Sequence, residues 1–327
     1  MRGFVAALLT GAVLSLTVSS VQALDETGGY PNRPIRLIVP FAAGSSSDVI
    51  SRIVAAEMGQ RLGAQVVVDN RVGGSTIVGT DLVAKSRPDG YTIGLANTST
   101  HAAALALSET LPFDPIKDFT PVAMIGSSPF MLLGSKSVPA ANMAELIDYA
   151  RKNPGWLNYA SAGPATLSHL AGELFKKLTG TQITHVPYRG TSQSVVDLLE
   201  GRIQLVVGVI NSTHEFVRQG RLNAYAVLSE SRVAVLPDVP TAAEAGVPGC
   251  EAALWSAIVL PAGAPQSIVE KLNHAVNEAV ATPEVQESLR KQGIEPELGS
   301  QKDVATRIAA DIAKWRDVIE FAQIGKH

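Results

Sequence analysis

Two loops of small residues carry the pattern of an anion-binding site. Residues 41–46 and residues 161–166 each follow an apolar run and precede a helical pattern, and neither loop carries a charged side chain. The backbone N–H groups at the start of each helix are therefore reachable, and the positive end of a helix dipole attracts an anion. We predict that each loop forms half of a carboxylate site. An ordinary strand–turn–helix connection has the same local pattern and is favoured when that pattern is considered alone.

No signature of covalent or metal-assisted catalysis accompanies these loops. The sequence has no GxSxG elbow, no P-loop and no GxGxxG, and none of its six histidines belongs to an HxxxH pair or a Cys/His cluster. Nothing in the neighbourhood of Ser161 or His169 marks a nucleophile or a base. We expect no enzymatic activity, no cofactor and no metal. A periplasmic hydrolase is the weakest of three functional hypotheses.

Strands that alternate with helices must position both loops. Residues 35–41 and 91–96 have the pattern of buried strands, and residues 49–62 have that of a helix. This alternation predicts an α/β fold with a parallel or mixed sheet, in which ligands bind beyond the carboxyl ends of strands. Asn97 follows such a strand end, and so do both loops. At the first loop, Ser47 or Asp48 is the predicted helix cap.

The middle of the chain predicts a passage between two domains. Two short strands, at residues 122–126 and 130–133, lead into a second domain, and a strand at residues 252–260 returns to the first. A chain of about 300 residues after the leader suits two domains of about 100–150 residues each. That path divides the chain into domain 1, residues 24–127 and 253–327, and domain 2, residues 128–252.

The first 23 residues have the pattern of a secretory signal peptide. Arg2 gives a positive start, residues 4–18 form an apolar run, and residues 21–23 supply the small-residue pattern for cleavage after Ala23. The apolar run is too short and too weakly flanked for a good membrane anchor. We therefore expect a protein that is exported to the periplasm.

Charge and cysteine content narrow the partners. The formal net charge is −3, there is no block of Lys or Arg, and aromatic residues make up 5% of the chain. Such a chain is a poor binder of nucleic acid. Cys250 is the only cysteine, so no disulfide forms within the chain. We expect a monomer.

Short motifs are spread over nearly the whole chain after the leader. They comprise residues 38–41 with Gly44 and Asp48, residues 69–71 with Gly73 and Gly74, residues 87–92, residues 159–163 with 168–175, residues 185–190, and residues 236–241 with 244–246. In combination they resemble the substrate-binding proteins of tripartite tricarboxylate transporters, the TctC or Bug family.

The resemblance implies a two-domain, periplasmic-binding-protein-like (type II) α/β fold with a ligand cleft between mixed-sheet domains. It implies domains that close on a dicarboxylate, tricarboxylate or aromatic carboxylate like a trap, and a membrane permease that takes the ligand over. In the family two loops hold one carboxylate, mainly through backbone N–H groups and waters, and they correspond to residues 41–46 and 161–166. Hydrogen bonds to a charged group contribute about 1.5–3 kcal/mol each, so a few of them offset the desolvation of a carboxylate.

The sequence departs from the family pattern at three places. Ser45 and Ser46 stand where the family often has a second glycine, and residues 164–166 replace its usual polar residue, Gly and Ser. Residues 207–209 read Val-Gly-Val where the family often has an Asp that meets a ligand amine. The missing Asp argues against an amino-acid ligand and favours a dicarboxylate or an aromatic carboxylate.

These patterns define the ligand-binding candidates and leave one further hypothesis open. A signalling receptor whose ligand-loaded form docks on a membrane sensor would use the same cleft, and neighbouring genes would distinguish it from a transport receptor.

The candidate ligand-binding residues are Phe41, Ala42, Ala43, Ser45, Ser46, Asn97, Ser161, Ala162, Gly163, Ala165, Thr166, His169, Gly208 and Asn211.

Overall fold

The computed structural model describes residues 29–104, 111–164, 166–188, 191–210 and 213–324, with the backbone alone for Ser75, Thr191 and Ser192. The strands in these ranges are β1 (Ile35–Val39), β2 (Val66–Asn70), β3 (Thr92–Asn97), β4 (Phe119–Gly134), β5 (Asn158–Ser161), β6 (Thr184–Pro187), β7 (Leu205–Val209), β8 (Asn223–Val227), β9 (Ala253–Pro261) and β10 (Glu295–Pro296). They form one mixed sheet in the order β2-β1-β3-β9-β4-β7-β5-β6, and β8 and β10 also pair with β4.

Helices follow most of the strands, as the alternating pattern predicted. A 3₁₀ turn (Gly74–Thr76) precedes the second helix, and a π-helical segment (Thr98–Ala103) follows β3. The α-helices of the described ranges are α1 (Ser46–Leu62), α2 (Ile77–Ala84), α3 (Met143–Lys152), α4 (Leu167–Thr179), α5 (Thr191–Leu199), α6 (His214–Arg218), α7 (Gln266–Ala281), α8 (Pro283–Lys291) and α9 (Gln301–Ala322). Within these ranges, no helix has both the length and the apolar character of a membrane span.

β4 is a single 16-residue strand, whereas the sequence predicted two short strands at residues 122–126 and 130–133. That prediction was wrong because residues 127–129 are of turn type, yet β9 pairs with β4 through this stretch. From Phe130 onward, β4 pairs with β7 and β8 instead. Pairing with neighbouring strands therefore overrides the local preference for a turn.

The change of partners divides the sheet into two parts. We call β1, β2, β3, β9, β10 and β4 up to Pro129 the β1 half, and we call β5 to β8 with the remainder of β4 the β5 half. In the β1 half, Val54 of α1 and Leu272 of α7 are fully buried in the same core as Leu37 and Ile93. This packing fixes α1 on the sheet, with its N-terminus at the end of β1.

The carboxyl ends of strands in the two halves face each other along β4. β1 and β3 run in the direction of β4, because β9 is antiparallel to both β3 and β4. β5 and β7 run the opposite way. Asn97, the last residue of β3, pairs with Ser256 of β9, and Ser256 pairs in turn with Gly126 of β4. Val209, the last residue of β7, pairs with Phe130 of β4. Four strand residues span about 13 Å, so the two sets of loops face one another across a short gap.

Candidate functional site

The first candidate loop leads into α1 one turn earlier than predicted. α1 begins at Ser46 instead of Val49, and its cap is Ser45, at φ −69° and ψ 161°, whose Oγ accepts a hydrogen bond from the N–H of Asp48 at 3.3 Å. The prediction of Ser47 or Asp48 as the cap was wrong. Three consecutive serines are equally good caps by type, and the turn at Gly44, with φ 79°, makes Ser45 the last residue outside the helix.

Several backbone amides at this end of α1 are open. The N–H of Gly44 donates to Asp48 Oδ2 at 2.8 Å, and the N–H of Ser45 donates to the carbonyl of Ala42 at 3.1 Å. Residues 42–44 and Ser46 are exposed. The N–H groups of Ala42, Ala43, Ser46 and Ser47 donate no hydrogen bond within the described chain.

The side chain of Asp48 stabilises this loop through hydrogen bonds. Its buried carboxylate accepts hydrogen bonds from Gly44 N–H, from Asn70 Nδ2 at 2.9 Å and from Arg52 Nε at 3.0 Å. Burial alone would raise the pKa of Asp48, but these hydrogen bonds and the charge of Arg52 outweigh burial and lower it. Asn70 Nδ2 also donates to the carbonyl of Phe41 at 3.0 Å. The negative charge is thus neutralised locally and does not cancel the positive end of α1.

The second candidate loop leads into α4 with Thr166 as the cap. Thr166 has φ −71° and ψ 160°, and its Oγ1 accepts the N–H of His169 at 3.4 Å. The N–H of Ala162 donates to Ser168 Oγ at 2.9 Å. The N–H groups of Leu167 and Ser168 donate no hydrogen bond within the described chain. Here the helix offers open amides, while the loop amide at Ala162 is engaged.

The hydroxyl of Ser161 forms hydrogen bonds within its own turn. Ser161 is 1% exposed, and its Oγ accepts the N–H of Gly163 at 3.1 Å and donates to the carbonyl of Gly163 at 3.0 Å. His185 Nε2 lies 2.7 Å from the same oxygen. With the hydroxyl proton on Gly163 O, the imidazole is the donor, which places a proton on Nε2. Ser161 therefore shapes the loop and has little capacity left for a ligand.

A cluster of polar side chains supports this loop. The His169 and His185 rings stack with centroids 3.8 Å apart. Burial, followed by the neighbouring His169, lowers the pKa of His185 to about 4, and burial lowers the pKa of His169 as well. Glu173 accepts hydrogen bonds from Tyr159 Oη at 2.7 Å and from Lys176 Nζ at 2.8 Å, and its Oε1 lies 3.9 Å from His169 Nε2. Both imidazoles are accordingly neutral at pH 7.

The other candidates lie deeper or outside the described residues. Asn97 is fully buried, accepts the N–H groups of Ser99 and Thr100, and reaches Ser47 Oγ at 3.5 Å. Gly208 is buried in β7 opposite Met131 of β4. Ala165 and Asn211 lie outside the described residues.

Sequence analysis missed two residues beside the start of α1. Ser128 of β4 and Ser256 of β9 line a small cavity with Ser46 and Ser47. A serine in a strand carries no sequence signal of this kind, because only the pairing of distant strands brings it to a helix end.

The chain belongs to the tripartite tricarboxylate transporter receptor family (TctC), whose model matches residues 50–324. The protein BugT of Bordetella pertussis is 35% identical to it over 313 residues, which cover 95% of this chain and 96% of BugT. The family resemblance found in the sequence motifs is confirmed.

Solved structures agree with this assignment. A structure of an R. palustris protein with adipate has a TM-score of 0.75 and 37% identity, and the match covers 90% of this chain and 99% of that one. MatC from Rhodopseudomonas palustris, with bound malate, has a TM-score of 0.71 and 33% identity, covering 89% and 100%. The periplasmic binding protein BugD has a TM-score of 0.72 and 31% identity, covering 91% and 100%. The predicted two-domain, periplasmic-binding-protein-like α/β fold is confirmed.

Proposed function

We propose that this chain is a periplasmic receptor that captures a small carboxylate and delivers it to the permease of a tripartite tricarboxylate transporter. The observation that carries the proposal is the pair of helix N-termini, those of α1 and α4, at strand ends that face each other along β4. Such N-termini bind anions through open amides and the helix dipole. The adipate and malate held by two related structures support the same ligand class.

The two halves of the sheet would close on this ligand. We propose the division into domain 1, residues 24–127 with 253–327, and domain 2, residues 128–252. The change of β4 partners between Pro129 and Phe130 lies two residues from this boundary and supports it. A carboxylate bridging the α1 and α4 ends would favour a closed form over an open one. Phe41 and Thr166 flank these ends from opposite halves.

The end of β7 favours a dicarboxylate or an aromatic carboxylate over an amino acid. Gly208 puts no carboxylate there, so a ligand ammonium would be buried without an anionic partner, which is costly. A second ligand carboxylate would meet no repulsion from this strand. In this proposal Asn211 supplies a hydrogen-bond donor.

Location and partners follow from the same family. The signal-peptide pattern in residues 1–23 and the periplasmic relative BugD support export to the periplasm. We expect the receptor to act as a monomer. A signalling role would use the same ligand and the same cleft, with a membrane sensor in place of the permease.

One contact favours the hydrolase hypothesis, and its surroundings weaken it. Ser161 Oγ and His185 Nε2 are 2.7 Å apart, the geometry of a nucleophile and its base. The hydroxyl is 1% exposed and bonded to Gly163, and the pKa of His185 is lowered to about 4, which makes a weak base at pH 7. The receptor hypothesis explains the same contact as support for the loop.

A thermal-shift screen tests the proposal. The panel contains adipate, malate, citrate, terephthalate, nicotinate and glutamate. A ligand at 100 times its Kd stabilises the folded state by about 2.7 kcal/mol, which is readily seen as a rise in Tm. We expect dicarboxylates to give the largest rise. No shift with any carboxylate would refute carboxylate capture, and the largest shift with glutamate would refute the ligand class.

A further inference from the structure

We propose that Ser128 and Ser256, on the two strands that cross between the sheet halves, complete a subsite at the N-terminus of α1 for one oxygen of the ligand carboxylate. The inference rests on the proposed carboxylate-binding function and names residues outside the two loops. Its experiment separates failure of the subsite from failure of that function.

The subsite is a small cavity between α1 and the crossing strands. Its polar lining consists of Ser46, Ser47, Ser128 and Ser256, and three apolar side chains complete it. Ser256 pairs with Gly126 of β4. Both strand serines therefore lie just before the point where β4 stops pairing with β9 and begins to pair with β7 and β8. The cavity therefore lies where the facing loops of the two halves approach each other.

The two strand serines are largely buried, and their hydroxyls reach the cavity. Ser128 is 7% exposed and Ser256 is 5% exposed. Neither hydroxyl oxygen is among the fully buried, unpartnered atoms of the described residues, so both keep some open surface. Because both serines line the same cavity, their hydroxyls can donate to a polar atom that enters it from outside the chain.

The chemistry of the cavity suits an anionic oxygen. The open N–H groups of Ser46 and Ser47 add donors at the positive end of α1. Asp48 is directed to Gly44, Asn70 and Arg52 and does not line the cavity. All the polar groups of the lining are hydroxyls or amides, which bind a carboxylate through charge-assisted hydrogen bonds.

The size of the cavity limits the occupant. Its volume of about 10 Å³ is near the minimum that holds one water-sized atom. A single carboxylate oxygen fills such a space, whereas a whole carboxylate group does not. An isolated bridging water is the competing occupant, and the experiment distinguishes it.

The neighbouring residue of the same strand offers a matched control. Ser127 is 8% exposed, much like Ser128, but it donates its hydroxyl proton to Glu297 Oε1. Ser127 is absent from this cavity and lines a different one, beside Trp315. Ser127→Ala therefore removes a buried serine hydroxyl from β4 without touching the proposed subsite.

Calorimetry on the full mature chain tests the subsite, with adipate and malate as probes. We expect Ser128→Ala and Ser256→Ala each to weaken the tighter probe at least about tenfold, because each loses a hydrogen bond to a charged group. Ser127→Ala should keep its affinity within about twofold. In ligand-free protein, Ser128→Ala and Ser256→Ala should keep or raise the Tm, because a hydroxyl that opens into the cavity is removed.

The outcomes separate the two claims. A wild type that binds no carboxylate refutes the proposed function and the subsite with it. A wild type that binds, with both variants within twofold of it, refutes the subsite alone. A ligand-free Tm lowered by several degrees in both variants also refutes it, since the hydroxyls would then have protein partners. In a crystal structure with the tighter probe, a carboxylate oxygen within hydrogen-bond distance of both serines supports the subsite, and a water there refutes it.

Discussion

The two candidate loops share one sequence pattern and use their backbone amides differently. In residues 41–46, Asp48 engages the amide of Gly44, and the amides of Ala42 and Ala43 stay open. In residues 161–166, Ser168 and Ser161 engage the amides of Ala162 and Gly163. A small-residue loop before a helix is therefore not sufficient for an anion site, because neighbouring hydroxyls can accept the hydrogen bonds of its backbone N–H groups.

We infer separate roles for the two loops from this difference. In the proposed function the first loop binds the anion, since its donors are open and the charge of Asp48 is neutralised by Arg52. The second keeps its shape without a ligand, and its open donors are the amides of Leu167 and Ser168 at the start of α4. We expect changes in the first loop to affect affinity and changes in the second to affect stability first.

Among changes in or beside the two loops, Ser46→Pro should have the largest effect on binding. Proline is tolerated at the first helical position, and Ser45, at φ −69° and ψ 161°, has the backbone that precedes proline. Pro283 already occupies the same position of α8. The change removes one open N–H, so affinity for a bound carboxylate should fall at least about tenfold by calorimetry, with little loss of stability.

Ser46→Ala is the control for this variant, because it keeps the amide. It should bind within about threefold of wild type. Equal affinity of Ser46→Pro and Ser46→Ala would show that the amide of Ser46 takes no part in binding.

Asp48→Ala should have the largest effect on stability in the first loop. It leaves donors of Gly44, Asn70 and Arg52 without their acceptor, so the free energy of unfolding should fall by about 2 kcal/mol in urea titrations. Glu57→Ala removes an exposed i,i+4 pair with Arg61 on the same helix and should cost about 0.5 kcal/mol or less. Equal losses from both variants would contradict the supporting role of Asp48.

The two loops should also respond to different ranges of pH. The pKa of His185 is about 4 in the folded chain, below its usual value of about 6.5, so the unfolded chain binds the proton first and stability falls as pH drops from about 6.5 towards 4. Asp48, whose pKa is lowered in the folded chain, affects stability below that range. Its contribution to the free energy of unfolding is present above the unfolded pKa of about 4 and is lost as pH falls through the folded value.

Urea titrations at pH 7.5, 6.5, 5.5 and 4.5 measure this difference. Burial also lowers the pKa of His101, to about 3, and the pKa of His169, so wild type should lose more than about 2 kcal/mol over the series. His185→Gln should lose less. A variant with the same slope as wild type would show that His185 is not the group responsible.

Ser168→Ala should have the smallest effect. It frees the amide of Ala162, so the free energy of unfolding should fall by about 1 kcal/mol while carboxylate affinity changes less than about threefold. A large loss of affinity with unchanged stability would reverse the roles assigned to the two loops.

Sequence patterns predicted the elements that local periodicity determines. The strands predicted at residues 35–41 and 91–96 are β1 and β3, and the helix predicted at residues 49–62 is α1. The family motifs predicted the fold class that the structural relatives confirm. Local periodicity was enough for these elements because capping and amphipathic burial act within a few turns.

Features that depend on distant pairing could not be predicted in the same way. The continuity of β4 depends on β9, more than 100 residues later in the sequence, and so does the approach of Ser256 to the start of α1. The hydrogen bond from the N–H of Ala162 to Ser168 Oγ is local, but it depends on a side-chain rotamer that the residue types do not determine. Sequence therefore located both loops but could not assign their different uses.

Calorimetry of the wild-type chain with adipate and malate, each compared with its diamide, tests the central claim most directly. The diamides keep the size and the carbon chain and lose only the negative charge. We predict that at least one dicarboxylate binds and that its diamide binds at least about a hundredfold more weakly, because two charged ends lose their charge-assisted hydrogen bonds. A diamide that binds as tightly as its acid would contradict carboxylate capture at the helix N-termini.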